Sequence, residues 1–145
     1  QAKERFQVLR KLFGNLRIYT MNDLIADLLA RLQNGIMRKK ETVEVVNTKI
    51  NKGILEVLKI EEMIKEYTDN GRMLEVEIMY DGLEPVISHF ERVSKPGQRV
   101  YVTKKEIVPI MNGRGISIIS TPKGLMSGAM AKSKNLGGEL ICKIW

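Results

Sequence analysis

A short loop near the carboxyl-terminal end of the chain carries residue types that bind phosphate. Ser120 and Thr121 stand close to Lys123 and Gly124 in the run ISTPKG. Hydroxyl and backbone N–H groups can donate to phosphate or 2′-hydroxyl oxygens, glycine permits close approach, and lysine releases counterions without demanding a particular base. This combination favours folded RNA as the partner. Tyr101, in RVYVTKK, could stack on a base or sugar, although a tyrosine on a strand lies in a core at least as often.

The distribution of charge favours the same kind of partner. The formal net charge is +7, but residues 92–145 hold ten basic residues against two acidic ones, a local charge of +8. Residues 1–20 hold five basic residues against one acid, or +4, whereas residues 21–91 hold nine against fourteen, or −5. Such separation within one chain favours nucleic acid, and the alternative is an ordinary solvated basic face.

No group of residues has the spacing of a catalytic or metal centre. His89, in VISHF, has no carboxylates or thiols at ligand spacing, so a structural role is predicted. Cys142, the only cysteine, stands between apolar neighbours and is predicted to be a buried small hydrophobe. The glycines of the run 113–115 precede a strand, which is the wrong context for a dinucleotide loop. We therefore expect no catalysis, no metal, no cofactor and no small-molecule substrate.

Composition indicates a globular chain. With 145 residues, 43% of them hydrophobic and 28% charged, it can bury a core without disulfides. No apolar run approaches the roughly 18 residues that cross a bilayer, so no membrane partner is expected.

The elements that must position the loop begin with a helix and a strand. Asn22 is predicted to cap a helix, because apolar residues recur at intervals of three and four over 24–36. A strand is predicted over Thr42–Val46. Alternation of apolar and polar residues from Met73 to Tyr80 predicts a further strand with one buried face.

A second helix is predicted to start at Asn47 or Thr48. Its early Lys49 and Lys52 oppose the helix dipole, so phosphate binding is one candidate role for them.

The rest of the chain is predicted to be mostly strand. The predicted strands are Arg99–Thr103, Gly115–Ser120 and Glu139–Ile144, and the predicted short helices are Lys104–Met111 and Ser127–Asn135. The turn Ser94–Gly97 marks a boundary, which gives a basic amphipathic arm (1–20), an amino-terminal domain (21–93) and a β-rich RNA-binding domain (94–145).

The runs GISIISTPKGLM, GGELICKIW and RVSKPGQRVY closely resemble the bacterial-type family of small-subunit ribosomal protein eight. MNDLIADLLARLQNG is similar to the first helix of that family, so the resemblance covers residues 21–145. It implies an α+β fold, in which an α/β amino-terminal half packs against a β-rich carboxyl-terminal half with a short helix.

The family binds the central domain of small-subunit ribosomal RNA and supports subunit assembly. The resemblance therefore implies two partners, this RNA and neighbouring small-subunit ribosomal proteins. It also implies that the RNA-binding residues are Ser120, Thr121, Lys123, Gly124, Tyr101 and Glu139, with Asn47, Thr48 and Lys49 from the amino-terminal half. Glu139 would order the site or accept from a base amino group.

The chain departs from the family pattern at several positions. Pro122 stands where serine is common, Leu24 replaces a proline, SGAMAKSK lacks the usual arginine-rich and acidic character, and an arm is added. These departures favour a mitochondrial ribosome, with a plastid or the bacterial cytoplasm as alternatives.

Two other functions stay open at this point. One is a free RNA-binding regulator of translation, which the sequence does not separate from a ribosomal role. The other, much less favoured, is an enzyme that uses the basic loop to hold a phosphorylated ligand.

Overall fold

The computed structural model describes residues 16–145, with side chains from Leu24 onward, so residues 1–15 of the predicted arm lie outside the described residues. Helix α1 spans Leu16–Met37. It begins upstream of Asn22, so the predicted cap is wrong. No glycine or proline lies between Leu16 and Asn22 to end the helical backbone. The predicted apolar stripe is buried, with Ile25, Leu28, Leu29, Leu32 and Ile36 at most 6% exposed.

A three-stranded antiparallel sheet follows α1. Its strands are β1 (Thr42–Val46), β2 (Ile64–Asp69) and β3 (Met73–Ile78), in the order β1-β3-β2. Helix α2 (Lys49–Ile60) connects β1 to β2 and is capped by Thr48, whose Oγ1 accepts from the backbone N of Asn51 at 3.1 Å. The predicted first strand and the predicted start of the second helix are confirmed.

Alternation along β3 explains how this sheet is covered. Leu74, Val76 and Ile78 are buried, while Glu75 and Glu77 lie on the opposite face and are half-buried. The buried face packs with α1 and α2 in one apolar cluster. The predicted alternating strand is confirmed.

A hairpin of β4 (Tyr80–Asp81) and β5 (Glu84–Pro85) leads to a second sheet. The strands of this sheet are β6 (Phe90–Arg92), β7 (Tyr101–Val102), β8 (Ile116–Thr121), β9 (Gly124–Ser127) and β10 (Gly138–Ile144). All pairs are antiparallel, in the order β6-β10-β8-β9, and β7 also pairs with β10. The sheet thus includes β6, which precedes residue 94, and the division into domains stays a prediction.

Helix α3 (Gly128–Ser133), capped by Ser127, connects β9 to β10 as predicted. The other short helix, predicted over Lys104–Met111, is wrong. Residues 104–106 form a turn, in which Glu106 accepts from the backbone N and the hydroxyl of Thr103 at 3.1 and 2.8 Å. Residues 107–109 are irregular, Ile110 bridges to Gly115, and a 3-10 helix spans Met111–Gly113. Pro109 has no N–H to donate and so cannot support a helical turn there.

The two halves share one core. Leu58 and Val76 of the first half belong to the same buried cluster as Ile118, Cys142 and Ile144 of the second sheet. A smaller cluster on the other face of the second sheet joins Ile107, Ile119, Met126 and Ala131 beneath α3. The predicted α+β fold is confirmed. Among residues 16–145 no helix is both long and apolar enough to cross a membrane.

Candidate nucleic-acid interface

Three predicted site residues lie side by side across the second sheet. In the register of the strands, Glu139 of β10 stands opposite Tyr101 of β7 on one side and Ser120 of β8 on the other. Directly opposed residues of antiparallel strands project from the same face, so the phenol, the carboxylate and the hydroxyl share that face. Tyr101 is 68% exposed, which excludes the core alternative for its ring.

The predicted loop is a tight hairpin turn. Thr121 pairs with Gly124, and Pro122 and Lys123 lie exposed between them. The buried Thr121 hydroxyl donates to the Gly124 carbonyl oxygen at 2.8 Å and accepts from the backbone N of Lys123 at 3.2 Å. Gly124 has a φ of +116°, which glycine adopts without a steric penalty. The Thr121 side chain therefore holds the turn, and Lys123 is presented to solvent.

A groove joins this hairpin to the start of α2. Thr48 and Lys49 line it on one side, and Ser120 and Gly124 line it on the other, around a cavity of about 630 Å³. Leu125 packs so closely on Gly53 of α2 that a Cβ at Gly53 would lie 2.6 Å from the Leu125 Cδ1. Tertiary packing thus brings together site residues that are predicted from distant parts of the chain.

Asn47 makes its contacts away from this groove. Its Nδ2 donates to Asp69 Oδ1 at 2.9 Å and to the carbonyl oxygen of Gly71 at 2.7 Å. Lys52 also contacts Asp69, with 2.6 Å between Nζ and Oδ2. These contacts stabilise the turn between β2 and β3, and a role for Asn47 in RNA binding stays a prediction.

Glu139 is held by donors on both sides. Ser94 Oγ donates to Glu139 Oε2 at 2.5 Å, and Arg99 Nη1 lies 3.0 Å from the same oxygen. Burial raises the pKa of Glu139, but the hydrogen bonds from Ser94 and Arg99 and the charges of Arg99 and Arg92 outweigh it, so the pKa lies below its usual value. The carboxylate is therefore ionised at neutral pH, within a basic region.

The family model described as Ribosomal protein S8 matches residues 23–145. The chain belongs to the ribosomal protein S8 family. It is 45% identical over 131 residues to the small ribosomal subunit protein uS8 of Chelativorans sp. (strain BNC1), a match that covers 87% of this chain and 99% of that protein. The proteins of the same name from Paracoccus denitrificans (strain Pd 1222) and Brucella melitensis biotype 1 are 45% and 44% identical over the same length.

Membership of the S8 family confirms the predicted resemblance. The family is a structural component of the small ribosomal subunit and not an enzyme, so the enzyme alternative is excluded. The structure also shows the contacts of His89 and Cys142. The ring of His89 packs against that of Trp145, with 4.7 Å between centroids. Cys142 is 0% exposed, and burial, opposed by Arg92, raises the pKa of its thiol to about 12.

Sequence reasoning did not include Ser94 and Arg99 among the site residues of this S8 protein. Both lie in the run RVSKPGQRVY, which carries the family resemblance. Glu139 could have pointed to them, because a half-buried carboxylate in a strongly basic segment needs hydrogen-bond donors to remain ionised.

Proposed function

We propose that this S8 protein binds the central domain of small-subunit ribosomal RNA through the second sheet, and so supports assembly of the subunit. The observation that carries the proposal is the row of Tyr101, Glu139 and Ser120 on one sheet face, beside the exposed Lys123. Stacking, hydrogen-bonding and cationic groups are thus available together to one RNA surface.

The groove between the hairpin and α2 extends this surface. Lys49 is exposed at the first turn of α2, and Thr48 and Lys49 line the same cavity as Ser120 and Gly124. We infer that these residues contact neighbouring RNA backbone, since a lysine at a helix start supplies charge to the phosphate-binding end of the helix.

Both acids of the basic segment 92–145 are already engaged. Glu139 contacts Ser94 and Arg99, and Glu106 contacts Thr103. Several lysines of the segment are exposed, among them Lys95, Lys104, Lys105, Lys123 and Lys134. The positive field of this segment is therefore directed at an external anion, as binding to RNA requires.

The proposed RNA partner is tested with the purified full chain. Binding is measured to a central-domain ribosomal RNA fragment and to a scrambled hairpin of equal length, over a range of salt concentrations. We expect the fragment to stay bound at salt that releases the hairpin. If both affinities fall together along one steep salt slope, the protein is a generic polyanion binder and the proposal is rejected.

The loop hydroxyls are tested in the same assay. Ser120→Ala is expected to cost about 1–3 kcal/mol of RNA binding with the fold intact, because a hydrogen bond to a charged group is lost. Thr121→Ala should also lower the free energy of unfolding, because this hydroxyl holds the turn. Ser133→Ala, at an exposed serine of α3, is the matched control. Unchanged affinity in Ser120→Ala would remove this hydroxyl from the site.

We also propose that neighbouring small-subunit ribosomal proteins contact the chain and that the ribosome is mitochondrial. The second proposal is supported by the departures from the family pattern at Leu24 and Pro122 and by the basic segment 1–20. The relatives compared above are bacterial proteins. Fractionation of cells that express a tagged chain, followed by sedimentation, tests both points. Recovery outside mitochondria would reject the compartment, and recovery only as free protein would favour a regulatory role.

A further inference from the structure

A network of hydrogen bonds centred on Ser94 lies beneath the proposed RNA face. Ser94 is 0% exposed. Its hydroxyl donates to Glu139 Oε2 at 2.5 Å and accepts from the backbone N of Val100 at 3.3 Å. Its backbone N donates to the Leu140 carbonyl oxygen at 3.1 Å, and its carbonyl oxygen accepts from Arg92 Nε at 2.6 Å. All the polar groups of Ser94 are therefore engaged within the protein.

This network ties a turn to β10. Lys95 and Gln98 exchange backbone hydrogen bonds at 3.1 Å in both directions, which closes the turn. The backbone N of Leu140 donates to the carbonyl oxygen of Val100 at 2.9 Å, so the end of the turn also contacts β10. The Ser94 hydroxyl thus joins both ends of the segment 94–100 to the Glu139 carboxylate.

The two donors to Glu139 share one carboxylate oxygen. Ser94 Oγ and Arg99 Nη1 both contact Oε2. The Glu139 side chain is 18% exposed. A carboxylate offers about four acceptor positions on its two oxygens, so fixing one oxygen leaves the other able to accept.

We propose that Ser94 is a positioning residue for RNA recognition, which holds Glu139 by Oε2 so that Oε1 accepts from an amino group of an RNA base. This inference rests on the proposed function. A carboxylate repels phosphate, so the group that it meets must be a donor. A 2′-hydroxyl occurs at every nucleotide, whereas amino groups differ between bases, so Glu139 held in this way gives selectivity. The lysines supply affinity for RNA but no selectivity between bases.

The test compares Ser94→Ala with Ser117→Ala, which removes another buried serine, on β8 of the second sheet and outside the network. The readout is the ratio of affinities for the central-domain fragment and the scrambled hairpin, with thermal unfolding recorded for both variants. We expect Ser94→Ala to lower the ratio about tenfold, with weaker binding only of the fragment, and Ser117→Ala to leave the ratio unchanged. If Ser94→Ala does not fold, Ser94→Cys is used in its place, because it keeps a side chain of similar volume with only a weak hydrogen-bond donor. The same loss of the ratio is then expected.

A double-mutant cycle then separates positioning from general stability. In a Glu139→Gln background, Ser94→Ala should lower the ratio no further, because its effect passes through the carboxylate. An equal loss in both backgrounds would overturn the inference, as would an unchanged ratio with only a lower melting temperature. If the wild-type chain itself does not distinguish the two RNAs, the proposed function fails, and this inference fails with it.

Discussion

The first sheet and the second sheet differ in what their charged side chains contact. Four ion pairs join described residues. Three lie in the first half, Arg31–Asp27, Lys52–Asp69 and Lys59–Glu66, and only Arg99–Glu139 lies in the basic second half. Three basic residues of the first half are thus paired with acids of the same half. The second half leaves exposed lysines for an external partner.

One row of side chains in each sheet shows a second difference. In the first sheet the register puts Glu44 of β1 opposite Glu75 of β3, two like charges. In the second sheet the corresponding row alternates a phenol, a carboxylate and a hydroxyl. Both sheets are antiparallel and contribute to one core. The comparison teaches that antiparallel pairing and a shared core are common to both halves, whereas binding depends on the residue types in one row of the second sheet.

The largest effect is expected from a backbone contact in the second sheet. In Gly138→Ala the added Cβ would lie 2.1 Å from the Ser120 carbonyl oxygen, so β10 must shift away from β8. We expect a loss of about 3 kcal/mol in the free energy of unfolding, measured with urea. Gly35→Ala in α1 is the matched change, because its Cβ would meet the Val43 Cγ2, a side-chain atom, at 2.2 Å. Helix propensity offsets part of that clash. Equal losses in the two variants would contradict this distinction between a backbone contact in the second sheet and a side-chain contact in the first half.

The second largest effect is expected on RNA affinity, from a charge reversal at the hairpin turn. Lys123→Glu reverses an exposed charge at the hairpin turn and should weaken RNA binding about tenfold while lowering the salt slope by about 1. Lys65→Glu reverses an exposed charge on β2 of the first sheet and should leave both quantities nearly unchanged. Affinity is measured at several salt concentrations for both variants. Similar losses would show that the whole surface attracts RNA, without the proposed asymmetry.

A smaller effect is expected in the pH dependence of stability. Because the pKa of Glu139 is lower in the folded chain than its usual 4.5, its ionised form stabilises the fold above that value. This contribution is lost as the pH falls through the folded pKa. Glu139→Gln should therefore be less stable than wild type at pH 7, by about 1 kcal/mol, and the difference should shrink below about pH 4. A difference that does not vary with pH would exclude a stabilising ionised carboxylate.

The smallest effect lies in the first half. Tyr67 Oη donates to Glu56 Oε2 at 2.5 Å, and this bond, with burial and nearby carboxylates, raises the pKa of Tyr67 to about 12. The bond stabilises the fold below the usual phenol pKa and is lost as the pH rises towards the raised value. Tyr67→Phe should cost less than about 1 kcal/mol and remove a phenol transition at about pH 12 from an ultraviolet titration. Its RNA affinity should equal that of wild type, and any loss would extend the site into the first sheet.

Features that depend on neighbouring residues could be predicted from the sequence. The strand Thr42–Val46, the cap at Thr48, the short helix after Ser127 and the burial of Cys142 follow from local apolar pattern and capping chemistry. The cap at Asn22 failed because a suitable residue does not end a helix whose backbone can continue. The helix over 104–111 failed because Pro109 and the Glu106–Thr103 contacts favour turns.

The sequence by itself determined the separation of charge, the family and the residue types available for RNA binding, because these are properties of composition and short motifs. Only the tertiary structure decided which residues share a surface. The register of β10 between β7 and β8 brings Tyr101, Glu139 and Ser120 into one row. It also decided that the Thr121 hydroxyl serves the turn and that Ser94 holds Glu139. These contacts join residues through strand pairing and burial, so their hydrogen-bond partners are fixed only when the sheet has formed.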